Sequence, residues 1–327
     1  MDDSINFFLN IKYKFVCIFN MKDILVIGFH THEKFMANKR VRKHINRNLK
    51  RNSMINFYHI AICYNDHHYL YYNNSLIKHI KSDDIGKSYI QLVKLLSTIK
   101  TEFNMITFWG HGWGPLFGTP KFPKQLILSG YDFAVPLLEN KISSHILWLE
   151  GCNLGNIITI FDCYKISKYI IGPSNGYGGD TLLSYIQYAN FDTDKDMIKS
   201  FKVIYKKLDP KDEYCSVIYK TKHIPKLISY FSKVDLASLK WEDRYNKKNI
   251  SKEDYNVYNV YRLSDDPKFH KILDRIVAYN ENKCFLNIDK FIYAKIYNES
   301  LRNTYYKILN KASKEFYTSQ PQLVDEC

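Results

Sequence analysis

Two stretches of similar design decide the fold of this chain: residues 105–114, MITFWGHGWG, and residues 146–155, ILWLEGCNLG. Each begins with a short apolar run. A residue with a reactive side chain follows the run, directly after a glycine: His111 in the first stretch and Cys152 in the second. Short apolar runs that end at glycine are typical of fully buried parallel strands. Because the sites of open α/β sheets form where parallel strands end, we expect His111 and Cys152 at one edge of one sheet.

An imidazole beside a thiol can perform nucleophilic chemistry, since the histidine accepts the thiol proton and later passes it on. We therefore predict that His111 and Cys152 are the catalytic residues. The backbone N–H groups of Gly112 and Cys152 are predicted to face a developing oxyanion. The segment 156–160, NIITI, is predicted to open a helix behind the thiol, and a helix N-terminus favours the thiolate.

These two blocks resemble those of the caspase–clostripain–gingipain clan of cysteine peptidases. Residues 108–114 are similar to the clostripain His-Gly block, and residues 125–152 resemble the caspase-like modules called CHAT domains. The likeness runs from about 106 to 174 and departs from the caspase signature Gln-Ala-Cys-x-Gly at 150–154, EGCNL, which argues against specificity for aspartate. The resemblance implies a caspase-like three-layer α/β/α sandwich with a mostly parallel sheet, and a cysteine endopeptidase activity.

Glu150 is the candidate residue for substrate specificity, because alternation along a strand would place it on the same side as Cys152. A carboxylate there can pair with a lysine or arginine side chain of a substrate. The resemblance points the same way: clostripain-like and metacaspase relatives carry an acid at this place and prefer basic residues before the cut. Legumain-like relatives combine glutamate there with a preference for asparagine. We predict cleavage after Lys or Arg, with Asn second; the alternative is an ordinary capping or surface acid.

Asn175 is the second predicted substrate-binding residue. It opens the glycine-rich segment 175–179, NGYGG, which can form a pocket wall or a movable loop. The alternative is an ordinary strand-to-helix turn with Asp180 as the helix N-cap.

Two alternative functions stay open from the sequence. Buried cysteine and a histidine beside tryptophan are both common in protein cores, so the motif also fits a catalytically silent caspase-like scaffold or structural interaction protein with an obstructed Cys152. The other alternative is a basic nucleic-acid-binding protein that uses Lys39 to Arg51, where seven of 13 residues are Lys or Arg and none is acidic. Val41, Ile45 and Leu49 recur every four positions in that run, which favours a helix packed on the sheet instead.

Composition limits the class of protein. The chain has 327 residues, a formal charge of +14 and 46% hydrophobic residues, which is ample for a core. Its seven cysteines show neither a disulfide framework nor a Cys-x-x-Cys metal site. Residues 1–19 lack the features of a signal peptide, and no run is long enough to span a membrane. We therefore predict a cytoplasmic, reducing environment. The resemblance to cysteine peptidases implies a protein or peptide substrate, and no oligomeric state follows from the sequence.

No cofactor and no metal is predicted. The histidines at 30, 32, 67 and 68 would need a further ligand brought close by the fold to hold a metal ion. No dinucleotide-binding fingerprint and no Gly-x-Ser-x-Gly elbow is present, and no Asp-x-Asp-x-Asp loop indicates calcium.

Alternating strand and helix patterns predict the domain organisation. Apolar strands predicted near 24–29, 57–63, 105–109, 146–149 and 169–172 are separated by helical segments, which indicates a mostly parallel sheet covered on both faces. We predict an N-terminal extension (1–20), a caspase-like catalytic domain (21–208) and a helix-rich C-terminal region (209–327). Helices are predicted in the later part of the chain near 181–208, 223–239, 265–280 and 286–315, with strands at 217–219 and 257–261.

Overall fold

A nine-stranded sheet forms the centre of the protein. The computed structural model describes residues 22–30, 36–52, 54–63, 66–113, 116–117, 128–152, 154–173, 183, 186, 193–208, 216–231, 233–234, 240, 257–280 and 287–289. The strands are, in chain order, β1 (Lys22–His30), β2 (Ile55–Cys63), β3 (His67–Tyr72), β4 (Ser75–Lys81), β5 (Glu102–Trp109), β6 (Gly112–Trp113), β7 (Leu116–Phe117), β8 (Leu128–Ser129), β9 (Ser143–Glu150), β10 (Ser167–Pro173), β11 (Ser216–Lys220), β12 (Val257–Asn259), β13 (Val277–Asn280) and β14 (Asn287–Asp289).

The main sheet has the order β13-β11-β10-β9-β5-β1-β2-β3-β4. Its five central strands, from β10 to β2, run parallel, and antiparallel strands extend both sides. From β1 the chain moves first to β2 and later to β5 on the other side, so the strand order reverses between β1 and β5. Sites of open α/β sheets form beside such a reversal, at the carboxyl ends of the strands.

Helices cover both faces of the sheet, as the alternating sequence pattern predicts. The helices are α1 (Met36–Arg51), α2 (Ile85–Ser97), α3 (Gly130–Glu139), α4 (Ile157–Cys163), α5 (Asp194–Leu208), α6 (Ile224–Phe231) and α7 (Pro267–Ile276). Buried residues of α1 and α5 form one core with one face of the sheet, and those of α2, α3, α4, α6 and α7 form a second core with the other. The protein is therefore an α/β/α sandwich, and the predicted fold class is confirmed.

The basic helix α1 packs its apolar stripe against the sheet. Val41 and Ile45 are 0% and 1% exposed, and Leu49 is partly buried against the same core. The lysines and arginines at 39, 40, 43, 47, 50 and 51 are exposed. The interpretation of this run as a sheet-covering helix is confirmed. Binding of nucleic acid by its exposed face stays an untested alternative.

Side chains cap the N-termini of three helices. The side chain of Asp84 accepts a hydrogen bond from the N–H of Lys87 at the start of α2, at 2.9 Å. Asn156 caps α4 through the N–H of Ile158, also at 2.9 Å, and Asp266 caps α7 ahead of Pro267. Such caps satisfy backbone donors that the first helical turn leaves unpaired. The cap of α2 lies at Asp84, directly before the first helical residue, Ile85.

Several elements after residue 110 differ from the sequence predictions. No strand is predicted in the proline-containing stretch after His111, yet β6, β7 and β8 form a small three-stranded sheet there. The predicted helix near 265–280 ends at Ile276, because the chain continues as β13 and pairs with β11. The start of the predicted helix 286–315 contains β14, which pairs with β12, and the rest of that segment lies outside the described residues.

The C-terminal part of the chain contributes to the main sheet. β11 and β13 both follow residue 209 and extend the sheet beyond β10. The predicted N-terminal extension 1–20 and the residues 209–215 at the predicted boundary lie outside the described residues, so the division into domains stays a prediction. Among the helices described, none is long and apolar enough to cross a membrane.

Candidate active site

His111 and Cys152 follow neighbouring parallel strands at the same level. β5 pairs with β9 in a register that joins Glu102 to Ser143 and Trp109 to Glu150, a constant offset of 41 positions. His111 and Cys152 are also 41 positions apart, and each lies two residues beyond the last pair. The sheet therefore delivers both residues to one point of its carboxyl edge, beside the reversal of strand order.

The two loops touch through their backbones. A Cβ atom added to Gly112 would lie 2.4 Å from the carbonyl oxygen of Cys152 and 2.6 Å from Cγ of Leu154. A Cβ added to Gly151 would lie 2.5 Å from Cδ1 of Leu154 and 3.1 Å from the backbone nitrogen of Gly112. A side chain at Gly112 would collide with backbone, and one at Gly151 would displace the Leu154 side chain and crowd the backbone of Gly112. The two glycines therefore allow the histidine and cysteine loops to approach each other.

The loop after Cys152 is held by residues that the sequence motifs do not include. The N–H of Gly155 donates to the carbonyl oxygen of Pro173 at the end of β10, at 2.7 Å. The carbonyl oxygen of Gly155 accepts a hydrogen bond from the hydroxyl of Tyr219 on β11, also at 2.7 Å. Tyr219 is fully buried and comes from the C-terminal part of the chain, so that part helps to position the cysteine loop.

Glu150 is buried beneath this edge of the sheet. Its residue is 3% exposed, and its Oε1 accepts a hydrogen bond from the hydroxyl of Thr107, which is fully buried, at 3.0 Å. Thr107 lies on β5 beside β9, and no sequence motif singled it out. The structure therefore places Glu150 inside the protein two residues from Cys152, rather than at the surface.

The cysteines of the described residues differ in exposure. Cys152 and His111 are both partly exposed, whereas Cys63 and Cys163 are buried. Burial raises the pKa of the Cys63 thiol to about 12 and raises that of Cys163 well above its ordinary value. Because the thiolate is the nucleophile, we expect Cys63 and Cys163 to be unreactive near neutral pH. Of the three, Cys152 is the one that is partly accessible to a large molecule.

The remaining site predictions are not all covered by the structure. Asn175 and the glycine-rich segment around it lie outside the described residues. The Nδ1 of His68 accepts a hydrogen bond from the N–H of Cys63 at 3.3 Å, and its Nε2 lies 3.0 Å from the carbonyl oxygen of Ser82. Both ring nitrogens of His68 are therefore occupied by backbone groups. Among the described residues, no group of three His, Cys, Asp or Glu side chains is placed to hold a metal ion.

Solved structures with the same fold are cysteine proteases. A secreted C11 cysteine protease from Bacteroides thetaiotaomicron, solved with an irreversible peptide inhibitor, matches with a TM-score of 0.58 at 10% identity, over 82% of this chain and 92% of that one. An inactive zymogen C11 protease from Parabacteroides distasonis matches with a TM-score of 0.57 at 13% identity, over 88% of this chain and 96% of that one. A secreted C11 cysteine protease from Bacteroides thetaiotaomicron called iotapain matches with a TM-score of 0.57 at 12% identity, over 90% of this chain and 99% of that one.

These matches establish the fold of the chain. C11 proteases are the clostripain-like proteases of the caspase-like clan, so the resemblance first seen in the His-Gly and Gly-Cys blocks is confirmed at the level of structure. No protein-family model matches the sequence, and no curated protein is similar to it. The chain therefore shares a caspase-like architecture with C11 proteases at very low sequence identity.

Proposed function

We propose that this protein is a cysteine endopeptidase in which Cys152 is the nucleophile and His111 is the general base and acid. One observation carries the proposal. The chain has the architecture of C11 proteases, and a histidine and a cysteine follow its register-paired strands β5 and β9 at the same level, with their loops in backbone contact.

The proposed reaction begins with transfer of the Cys152 thiol proton to His111. The thiolate attacks the scissile carbonyl, an S–C bond forms, and the N–H groups of Gly112 and Cys152 stabilise the oxyanion. The C–N bond then breaks as His111 gives the proton to the leaving amine. A water molecule, deprotonated by His111, hydrolyses the thioester and returns the thiol.

Glu150 is proposed to select lysine or arginine immediately before the cleaved bond, with asparagine second. The support is its place at the end of β9, two residues before Cys152. A carboxylate in a partly dehydrated site attracts a cationic side chain more strongly than one at the surface does. The Thr107 hydroxyl holds one carboxylate oxygen in a defined direction, which helps a charged side chain to bind in one orientation.

Partial exposure of Cys152 favours an enzyme over a silent scaffold. The scaffold alternative predicts an obstructed Cys152, whereas the residue is partly accessible to solvent.

A cytoplasmic location stays a prediction based on cysteine usage, and two of the similar structures come from secreted proteases.

Hydrolysis of fluorogenic peptides tests both the activity and its specificity. We expect the wild-type protein to cleave after Arg or Lys at least about 100-fold more efficiently than after Asp or Leu, because a desolvated charge pair contributes several kcal/mol. Glu150→Gln keeps the size of the side chain and an acceptor for Thr107 but removes the charge. We expect this variant to lose about 100-fold in kcat/KM on Arg peptides.

Glu102→Gln is the matched control for Glu150→Gln. Glu102 is an exposed glutamate at the other end of β5, and its substitution should leave kcat/KM unchanged. Preference of the wild type for Asp or a large apolar residue, or equal losses in the two variants, would rule out the role of Glu150. Absence of any peptide hydrolysis would count against the proposed function itself.

A further inference from the structure

A concave surface lies at the edge of the sheet opposite to His111 and Cys152. A cavity of about 740 Å³ opens where β9 and β10 begin and where the antiparallel strand β11 ends. Ser167 is paired with Ser144, and Tyr169 is paired with Lys220, so the three strand ends lie side by side there. β9 is eight residues long, which places this cavity about 23 Å from the cysteine end of the strand.

The cavity is basic. Four lysines line it, Lys165, Lys168, Lys220 and Lys222, and none of the residues that line it is acidic. Among the described residues, none of these four lysines forms an ion pair. Lys165 lies over the ring of Tyr164, with its Nζ 5.8 Å from the ring centroid. Four lysines and no acidic residue at one concave surface give it an excess of positive charge, which attracts a multiply charged anion.

The electrostatic environment of His223 is consistent with this distribution of charge. Burial is the main cause that lowers the pKa of His223, and the positive charges of Lys222, Lys226, Arg275 and Lys220 lower it further. The positive field around the end of β11 therefore extends beyond the four lysines of the cavity.

A buried hydroxyl holds the cavity in shape. The hydroxyl of Thr221, a residue that is 5% exposed, donates one hydrogen bond that the carbonyl oxygens of Ser167 and Lys168 share, at 2.6 and 2.9 Å. This contact joins the end of β11 to the start of β10. It thereby fixes the backbone of Lys168 relative to that of Lys220 and Lys222.

We propose that this cavity binds a small organic anion that carries several phosphate groups. Lysine is a point-charge partner for phosphate, and four lysines match a ligand with about four negative charges. The volume lies within the ~300–1,000 Å³ of sites that bind small molecules and exceeds what a single phosphate needs. Ile166, Tyr169 and Pro225 add apolar surface for the organic part. The proposal is independent of the peptidase activity.

Calorimetric titration with ATP and with inorganic tripolyphosphate, both without added metal ions, tests the site. The Cys152→Ala protein is used so that self-cleavage cannot disturb the measurement. We expect both anions to bind at low ionic strength and to bind more weakly as salt rises. The triple variant Lys168→Gln, Lys220→Gln, Lys222→Gln should lose about tenfold or more in affinity.

The matched control removes three positive charges from another part of the protein. Lys78, Lys81 and Lys94 are exposed on β4 and α2, and their substitution by glutamine changes the net charge equally. Wild-type affinity in this control supports the site. Tighter binding of ATP than of tripolyphosphate shows that the organic part of the ligand also contacts the protein. Absence of binding of both anions, or equal losses in both triple variants, would overturn the proposal. If the first triple variant does not fold, the double variant Lys168→Gln, Lys222→Gln, which changes only exposed side chains, provides the same comparison.

Discussion

Replacement of Cys152 by alanine is expected to lower kcat/KM for peptides with Arg before the cut by about 10⁴-fold or more, while the protein stays folded. Alanine has no nucleophile, so the thioester cannot form, and only binding and oxyanion stabilisation remain. Cys152 is partly exposed at the edge of the sheet, so loss of its sulfur leaves no large cavity in the core. Initial rates on a fluorogenic peptide, with a thermal melt of the same sample, check both parts of the expectation.

The control for this substitution is Cys63→Ala. Cys63 is a buried thiol on β2, and its replacement should leave kcat/KM within a few-fold of wild type, at a cost in stability of about 1 kcal/mol. Hydrolysis by Cys152→Ala at the wild-type rate would show that another residue performs the chemistry and would remove the basis of the proposed mechanism.

A methyl group at residue 112 should disturb both structure and activity. In Gly112→Ala the new Cβ would lie 2.4 Å from the carbonyl oxygen of Cys152, so one of the two loops must move. We expect a loss of about 1–3 kcal/mol in the free energy of unfolding, as for other overpacked sites. Displacement of the nucleophile by about 1 Å is expected to reduce kcat/KM about 100-fold.

Gly86→Ala is the matched glycine substitution. Gly86 lies in the first turn of α2, and its added Cβ would approach no atom closer than Oδ1 of Asp84 at 3.6 Å, an ordinary contact. Alanine should stabilise this helix by up to about 1 kcal/mol without changing kcat/KM. Denaturant unfolding and peptide kinetics of both variants give the comparison. Equal behaviour of the two would mean that the close approach of the His111 and Cys152 loops is unimportant.

The strands that carry the site could be predicted from sequence because they are buried on both faces. Residues 105–109 and 146–149 are continuous apolar runs, and each run ends at glycine beside a reactive side chain. The separation of 41 positions between His111 and Cys152 equals the register offset of β5 and β9. That equality was not predictable, since the register depends on how the intervening helix α3 packs.

The supports of the site depend on residues far apart in the chain. The Tyr219 hydroxyl reaches a carbonyl 64 positions away, and the Thr107–Glu150 contact joins residues 43 positions apart. Neither Tyr219 nor Thr107 stands out in a local sequence pattern, because tyrosine and threonine are ordinary strand residues. The strand β13 lies within the helix predicted near 265–280. Its strand conformation depends on pairing with β11, which is distant in the chain, and not on a pattern in the segment itself.

Covalent labelling with a peptidyl acyloxymethyl ketone that ends in lysine tests the central claim most directly. The probe forms a thioether with a reactive thiolate, and its carboxylate leaves. After digestion with trypsin, residues 142–165 form one peptide that contains both Cys152 and the buried Cys163. Because burial raises the pKa of Cys163 well above its ordinary value, that thiol is the internal control. We predict label on Cys152, none on Cys163, and at least about a tenfold slower reaction in His111→Ala. Folded protein that takes no label at Cys152, or a His111→Ala variant that is labelled as fast as wild type, would contradict the account.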